Sequence, residues 1–198
     1  MTNLPFSQAC ENNKVPILNA LKRVFAEVNS VLEIGSGTGQ HAAFFADQLK
    51  HLHWQPSDQE EYLAGIELWV REAKLENLSL PLPLDVRRAM WPQQHFGGVF
   101  SANTAHIMSW DTVLAMLAGV SKVLAQGGKF CLYGPFNFQG QFTSESNALF
   151  HEHLKSRDPA MGIRDFEAVV EAADNASLAF CHDHEMPANN RLLEFIRG

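Results

Sequence analysis

The stretch Val31-Leu-Glu-Ile-Gly35-Ser-Gly37-Thr-Gly39-Gln-His41 places three glycines at alternate positions directly after an apolar run. Residues 30–34 predict a strand, and the pattern of residues 41–49 predicts a following helix. Glycines at such a turn let the backbone bend tightly and let a ligand approach where a Cβ would block it. In doubly wound α/β folds, ligands bind beyond the first strand. The segment therefore predicts a ligand site, and a plain strand-to-helix turn is the alternative.

The identities of the residues around these glycines indicate which ligand the turn binds. The dinucleotide fingerprint is G-x-G-x-x-G, and Gln40 occupies the position of its third glycine. Glu33 precedes the first glycine by two residues, and its carboxylate would repel a pyrophosphate but could receive an ammonium group. S-adenosylmethionine carries an ammonium and a sulfonium and has no phosphate. Both residues therefore favour S-adenosylmethionine over a dinucleotide as the cofactor.

Outward from this turn, strand-like and helix-like stretches alternate along the chain. Strands are predicted at residues 30–34, 53–55, 80–84, 98–102, 129–133, 178–182 and 192–196. Helices are predicted at residues 15–28, 41–49, 59–75, 111–124, 144–154 and 164–173. Such alternation is typical of βαβ units. We expect an α/β fold, a doubly wound and mostly parallel seven-stranded sheet in which the last two strands form an antiparallel pair.

Details of the sequence refine these boundaries. Pro16 suits the first turn of the first helix. Pro81 and Pro83 predict that the third strand is weakly paired or lies at an edge of the sheet. Asp111 is expected to cap the fourth helix. The pair Gly127-Gly128 is expected to end that helix and to lead into the fifth strand.

Composition limits the class of protein. The 198 residues are 46% hydrophobic, which suits one domain spanning residues 1–198. A formal net charge of -7 argues against a nucleic-acid partner. The three cysteines are far apart, as expected in a reducing compartment. Because no signal pattern or membrane-length apolar run occurs, we expect a cytoplasmic protein that does not bind a membrane. The oligomeric state is left open.

The quoted turn resembles the first motif of Rossmann-like (class I) S-adenosylmethionine-dependent methyltransferases. That resemblance implies an acid at the end of the second strand that holds the ribose hydroxyls, and Asp58 follows Gly37 by 21 residues; its alternative role is a helix cap. It also implies an acid near the adenine amino group, for which Asp85 is the candidate, with an ordinary turn residue as the alternative. Asn103, at the end of the fourth strand, would bind the ammonium. The expected cofactor-binding residues are Glu33, Gly35, Ser36, Gly37, Gln40, Asp58, Asp85, Val86 and Asn103.

The acceptor side of the site is expected after the fourth strand. His106 is the candidate catalytic base because an imidazole titrates near neutral pH, and a structural histidine is the alternative. The Asn/Asp-Pro-Pro-Tyr motif of enzymes that methylate nucleic-acid amino groups is absent, so a small-molecule acceptor is favoured. Arg164 would suggest an anionic acceptor if it faced the pocket, and an ion pair with an acidic residue of a helix is the alternative. The expected substrate-side residues are Asn13, Pro135, Phe136, Arg164 and Asn189, and ordinary loop chemistry is the alternative for them.

Nine histidines raise the question of a metal site. Three H-x-H pairs occur, but no helical H-x-x-x-H or C-x-x-C spacing accompanies them. Residues two apart on a helix point in different directions, which argues against His151 and His153 as a pair. We therefore expect no bound metal.

Nearly the whole chain also resembles a narrower group of methyltransferase-like proteins, the domain-of-unknown-function family nine-three-eight. The matching segments include residues 10–18, 32–40, 54–58, 133–136, 143–147, 157–159, 162–165 and 186–190. The resemblance implies a class I fold and S-adenosylmethionine as cofactor, and it implies no substrate. Asn12 and Met161 stand where an arginine and a tryptophan are expected. A non-catalytic S-adenosylmethionine-binding module and a dinucleotide-dependent oxidoreductase are the alternative functions.

Overall fold

The computed structural model describes residues 4–88 and 90–198, so residues 1–3 and 89 of the predicted domain lie outside it. The described helices are α1 (Gln8–Val24), α2 (Gln40–Gln48), α3 (Glu60–Ala73), α4 (Trp110–Val123), α5 (Glu145–Arg157) and α6 (Phe166–Asn175). The strands are β1 (Ser30–Ile34), β2 (His53–Asp58), β3 (Leu82–Pro83), β4 (Phe96–Ala102), β5 (Leu124–Asn137), β6 (Arg164–Asp165), β7 (Leu178–Met186) and β8 (Asn190–Arg197). None of the described helices is long and apolar enough to cross a membrane.

The strands form one mixed, mostly parallel sheet, as predicted. Its order is β3-β2-β1-β4-β5-β8-β7, and β6 pairs with the end of β5. Strand β8 runs antiparallel to both β5 and β7, whereas β1 to β5 are mutually parallel. The order reverses between β1 and β4, so a crevice opens at the carboxyl ends of these two strands. The predicted doubly wound fold and the edge position of β3 are confirmed.

Two apolar cores cover the two faces of the sheet. Alternate residues of a strand point to opposite faces. Val31 accordingly packs with side chains of α1 and α2, including Ile17 and Phe45. Its neighbour Leu32 packs with side chains of α4 and α6, including Val113. Strand β1 is therefore buried on both faces, which explains why the neighbouring residues Val31 and Leu32 are both apolar.

Helix α1 begins seven residues earlier than predicted, and Pro16 lies inside it instead of in its first turn. The hydroxyl of Ser7 caps the helix by accepting a hydrogen bond from the backbone N–H of Cys10. The backbone N–H of Ser7 in turn donates to the side chain of Gln40 in α2. This tertiary contact fixes the first turn of α1, and the local pattern of apolar residues does not register it.

Other boundaries also differ from the prediction. Helix α4 is capped by Ser109, whose hydroxyl accepts from the N–H of Thr112, so the predicted cap at Asp111 is wrong. The pair Gly127-Gly128 lies within β5, which follows α4 directly, and does not end the helix. Helix α6 starts two residues late because β6 pairs with β5. The terminal antiparallel pair is confirmed, with longer strands than predicted.

Candidate functional site

A cavity of about 740 Å³ opens at the carboxyl ends of the central strands. Its size lies within the range of ~300–1,000 Å³ that is common for small-molecule sites. Its walls come from α1, the β1–α2 turn, the start of α3, the β4–α4 loop, α5 and the β7–β8 loop. The lining residues are Ser7, Ala9, Cys10, Asn12, Asn13, Gly35, Ser36, Gly37, Thr38, His41, Asp58, Gln59, Tyr62, Ala102, Asn103, Thr104, His106, Ile107, Met108, Tyr133, Pro135, Asn147, Phe150, Pro187, Ala188 and Asn190.

Gly37 and Gly39 serve different purposes in the β1–α2 turn. Both have a positive φ, +57° and +89° respectively, a backbone conformation that residues other than glycine rarely adopt. A Cβ on Gly37 would meet no atom within 4 Å, so this glycine leaves open space at the cavity. A Cβ on Gly39 would lie 3.0 Å from the Cα of Ile66. Gly39 therefore allows α2 and α3 to approach closely, and it does not line the cavity.

This difference gives a stability prediction for the turn. We expect Gly39→Ala to lower the free energy of unfolding by about 1–3 kcal/mol more than Gly37→Ala, because only the former overpacks a backbone contact. Gly37→Ala is the matched control for the cost of a side chain at positive φ. Urea unfolding of the two variants and the unaltered protein measures the difference. Equal losses in the two variants would contradict the packing role of Gly39.

Asp58 lies beside the glycine turn at the end of β2. Its Oδ2 accepts a hydrogen bond of 2.8 Å from the N–H of Gly37, and its Oδ1 accepts one of 2.7 Å from the N–H of Gln59. Burial raises the pKa of this carboxyl, and the two backbone bonds act in the opposite direction. The cap residue of α3 is Gln59. The structure thus brings Asp58 and the glycine turn together at the cavity.

Glu33 is buried beneath the turn and does not line the cavity. Its Oε2 accepts a 3.0 Å hydrogen bond from Trp54 Nε1, and the side chain of Ser36 also hydrogen bonds to it. Burial raises the pKa of Glu33 to about 7, while the two hydrogen bonds lower it. Glu33, which was predicted to contact the cofactor, is thus hydrogen-bonded to Trp54 on β2 and to Ser36 in the turn.

Gln40 is also turned away from the cavity. Its Oε1 accepts from the N–H of Ser7, and its Nε2 donates to Glu11 Oε1 over 3.0 Å. The expectation that Gln40 contacts the cofactor is therefore replaced by a contact between α2 and α1. The N-terminal helix is held over the cavity by this side chain.

Asp85 and Val86 likewise lie outside the cavity lining. Asp85 forms ion pairs with Arg87 and Arg88, and the hydrogen bonds from Arg87 lower its pKa to about 2. Val86 packs in the core on the α4 side of the sheet. Arg87 pairs with the carboxylate of Asp85 and holds it away from the cavity. This ion pair is the physical reason why Asp85 is not placed to contact the cofactor as predicted. Gln59 and Tyr62 line the adjacent part of the cavity instead.

His106 and Asn103 line the cavity in the β4–α4 loop, as the sequence placed them. Asn103 has a positive φ of 59°. The His106 ring is buried and meets the ring of Phe150 edge-on, with centroids 5.3 Å apart. Burial lowers the pKa of His106 to about 4, and the nearby positive charge of Arg164 adds to this effect. The imidazole is therefore neutral at physiological pH.

The predicted substrate-side residues divide into two groups. Asn13 and Pro135 line the cavity. Phe136 packs in the apolar core. The carbonyl of Asn189 accepts a 3.4 Å hydrogen bond from Asn147, and Asn189 does not line the cavity although its neighbours do. These two placements follow from strand alternation and from the tight β7–β8 turn.

Arg164 does not line the cavity either. Its guanidinium donates to the carbonyl oxygens of Ala105 over 3.1 Å, of Ala160 over 2.8 Å, and of Met108. The N–H of Gly162 also donates to the carbonyl of His106. The expectation that Arg164 binds an anionic acceptor is thus replaced by a role in holding the loop that carries His106.

Ser7, which caps α1, and Ala9 and Cys10 in its first turn line the cavity. The sequence prediction missed these three residues because it began the helix at residue 15. Asn13 Oδ1 lies 2.7 Å from Nε2 of His41, and the Tyr133 hydroxyl hydrogen bonds to the same amide. Ser7 with Glu11 in the first turn was the available signal, since a serine cap followed by an acid is typical of a helix start. Nothing in the sequence indicated Tyr62 or Phe150.

The described residues contain no group of three or more histidine, cysteine, aspartate or glutamate side chains that could hold a metal ion. His182 and His184 come together, with ring centroids 4.3 Å apart. His184 Nε2 lies 3.1 Å from a carboxylate oxygen of Glu194. These groups form part of the β7–β8 surface and are not among the residues of the cavity.

The chain is similar to a family of unknown function and to several solved structures. The model of a family described as "Protein of unknown function (DUF938)" matches residues 4–197. An O-methyltransferase family protein from Burkholderia thailandensis is 14% identical with a TM-score of 0.83, over 93% of this chain and 56% of that one. An O-methyltransferase family 2 protein from Planctomyces limnophilus, solved with apigenin, is 13% identical with a TM-score of 0.84, over 96% and 58%.

PigF, whose structure was solved with S-adenosylhomocysteine, is 14% identical in sequence to this chain. The two structures superpose with a TM-score of 0.81, over 93% of this chain and 56% of PigF. At these identities the similarity shows the fold, which is the Rossmann-like fold of class I methyltransferases. The chain spans little more than half of the length of these solved proteins.

Proposed function

The chain belongs to the DUF938 family of proteins of unknown function, and on that premise we propose that it is an S-adenosylmethionine-dependent methyltransferase with a small-molecule acceptor. The observation that carries the proposal is the hydrogen bond between Asp58 and Gly37 at the edge of the cavity. It joins a carboxylate to an open glycine turn at the point where a nucleoside would bind in this fold. The fold similarity to S-adenosylmethionine-dependent enzymes supports the proposal.

The residues at the turn fit this cofactor. Each carboxylate oxygen of Asp58 accepts one backbone hydrogen bond, which leaves further acceptor sites for the two ribose hydroxyls. Gly37 leaves space beside that carboxylate. Asn103, the residue directly after β4, would hold the amino-acid end of the cofactor. When bound, the cofactor supplies a methyl group on a sulfonium sulfur.

On the acceptor side, we assign His106 the role of general base. A neutral imidazole at the cavity can take the proton of an acceptor hydroxyl as the oxygen gains the methyl group. Because Arg164 and Gly162 fix the backbone on both sides of His106, the ring has a defined position relative to the cavity. Several similar solved structures are O-methyltransferases, which supports oxygen as the accepting atom.

Cofactor binding tests this proposal directly. We expect Asp58→Ala to weaken binding of S-adenosylhomocysteine by ~10- to 150-fold, because hydrogen bonds to a charged group contribute ~1.5–3 kcal/mol. Isothermal titration calorimetry measures the dissociation constant. Glu60→Ala is the matched control, since Glu60 is exposed two residues along the chain. NAD should give no binding heat. Unchanged affinity for S-adenosylhomocysteine in Asp58→Ala would remove Asp58 from the site.

A further inference from the structure

We infer that the methyl acceptor is an uncharged, largely apolar molecule with a hydroxyl group, and that molecules with a carboxylate or phosphate are poor acceptors. The inference rests on the proposed function and concerns the part of the cavity above β4 and β5. This part lies on the far side of the glycine turn from Asp58, because β1 separates β2 from β4 in the sheet. We call it the acceptor end and define it by His106, Ile107, Met108, Pro135, Asn147 and Phe150.

The acceptor end has mainly apolar walls. Ile107, Met108, Pro135 and Phe150 supply aliphatic, thioether and aromatic surfaces, and Phe150 also packs against His106. The exposed fractions of Ile107 and Phe150 are 47% and 36%, so apolar surface continues to the cavity mouth. Such surface favours ligands whose own apolar area becomes buried on binding.

Charge in the cavity disfavours an anion. Among the described lining residues, the one charged side chain is the carboxylate of Asp58, and none is a lysine or an arginine. The nearby cation, Arg164, donates hydrogen bonds from its guanidinium to three backbone carbonyls and does not line the cavity. An anionic acceptor would therefore lose its hydration without gaining a cationic side chain as a partner, which is costly in free energy.

The hydrogen-bonding groups of the acceptor end favour a donor on the ligand. Nδ2 of Asn147 already donates to Thr143 Oγ1 and to the carbonyl of Asn189. Nδ2 of Asn190, at the neighbouring turn, donates to the carbonyls of Pro187 and Ala188. Because carbonyl oxygens only accept, these contacts fix the amide orientations and leave the amide oxygens as acceptors. Together with neutral His106, they suit a ligand that donates through a hydroxyl.

A matched pair of probes tests the inference on protein saturated with S-adenosylhomocysteine. The neutral probe is methyl 4-hydroxybenzoate, and the anionic probe is 4-hydroxybenzoate at pH 7.5. We expect the ester to bind at least ~10-fold more tightly than the acid in NMR titrations. Ile107→Lys places a cation at the acceptor end and should tighten binding of the acid by ~5-fold or more. Leu149→Lys is the control on α5, since Leu149 is 66% exposed and outside the cavity lining.

The outcomes separate this inference from the proposed function. Equal or tighter binding of the acid to the unaltered protein would overturn the inference, and so would failure of both probes to bind. An equal gain for the acid in Ile107→Lys and Leu149→Lys would also count against it, because the effect would then be one of general surface charge. Failure of S-adenosylhomocysteine itself to bind, measured first by calorimetry, would overturn the proposed function instead.

Discussion

His106→Ala is expected to lower the rate constant of methyl transfer by ~10²- to 10⁴-fold, the usual contribution of a positioned general base. Affinity for S-adenosylhomocysteine should stay the same, since His106 lies at the acceptor end, on the far side of the glycine turn from Asp58. Release of S-adenosylhomocysteine, with methyl 4-hydroxybenzoate as acceptor, measures the rate. His95→Ala is the control, because His95 is exposed and does not line the cavity.

The pH dependence of the rate distinguishes a base from a residue that only fills space. Burial and Arg164 lower the pKa of His106 to about 4, so the imidazole loses its ability to accept a proton only as the pH falls towards that value. The unaltered protein should therefore keep its activity through pH 6.5, where an exposed histidine would already be half protonated, and should lose activity as the pH falls towards 4. A residue that only fills space would give no such loss. A rate that survives His106→Ala unchanged would remove His106 as the base. Low turnover of the unaltered protein with intact binding of S-adenosylhomocysteine would favour the alternative of a non-catalytic binding module.

Glu33→Gln is expected to stabilise the protein by about 3 kcal/mol at pH 8. Burial raises the pKa of Glu33 from 4.5 to about 7, and a pKa difference of this size corresponds to about 3 kcal/mol. Between pH 4.5 and 7 the folded state keeps the proton of Glu33, whereas the unfolded state has released it. The contribution of Glu33 to stability is therefore fully present below pH 4.5. It is lost as the pH rises through 7. A glutamine keeps an oxygen for the Trp54 N–H and carries no charge to desolvate.

Urea unfolding at a series of pH values measures this effect. The advantage of Glu33→Gln over the unaltered protein should be small at pH 4, should grow between pH 4.5 and 7, and should then level off. Glu27→Gln is the matched control, since Glu27 is exposed. An advantage that does not change with pH, or a loss of stability at pH 8, would show that the buried carboxylate ionises without the expected cost.

Much of the fold was predictable because its signals are local. The patterns of apolar residues located the described helices and every described strand except β6. The glycine turn with Asp58 21 residues beyond Gly37 indicated where the site would lie. Boundaries failed where a contact distant in sequence decided them. Helix α1 starts at Gln8 because Gln40 holds Ser7, and α6 starts late because Arg164–Asp165 pair with β5.

The candidate site was predictable in part for the same reason. Gly37, Asp58, Asn103 and His106 lie at the ends of strands, and the topology of a parallel sheet brings such positions to one edge. Asp85 and Arg164 are also near strand ends, but their partners, Arg87 and the carbonyls of the His106 loop, turn them away from the cavity. Which partner captures a charged side chain depends on geometry that the sequence does not contain.

The sequence by itself determined the doubly wound α/β fold and the open turn at Gly37, because apolar period and glycine spacing act through short stretches of chain. The resemblance to class I methyltransferases, also read from the sequence, implied Asp58 as the carboxylate beside that turn. Only the tertiary structure decided the character of the acceptor end. There the apolar walls, the captured Arg164 and the buried, neutral His106 come from segments distant in sequence, and their combined burial and charge exist only once those segments are packed together.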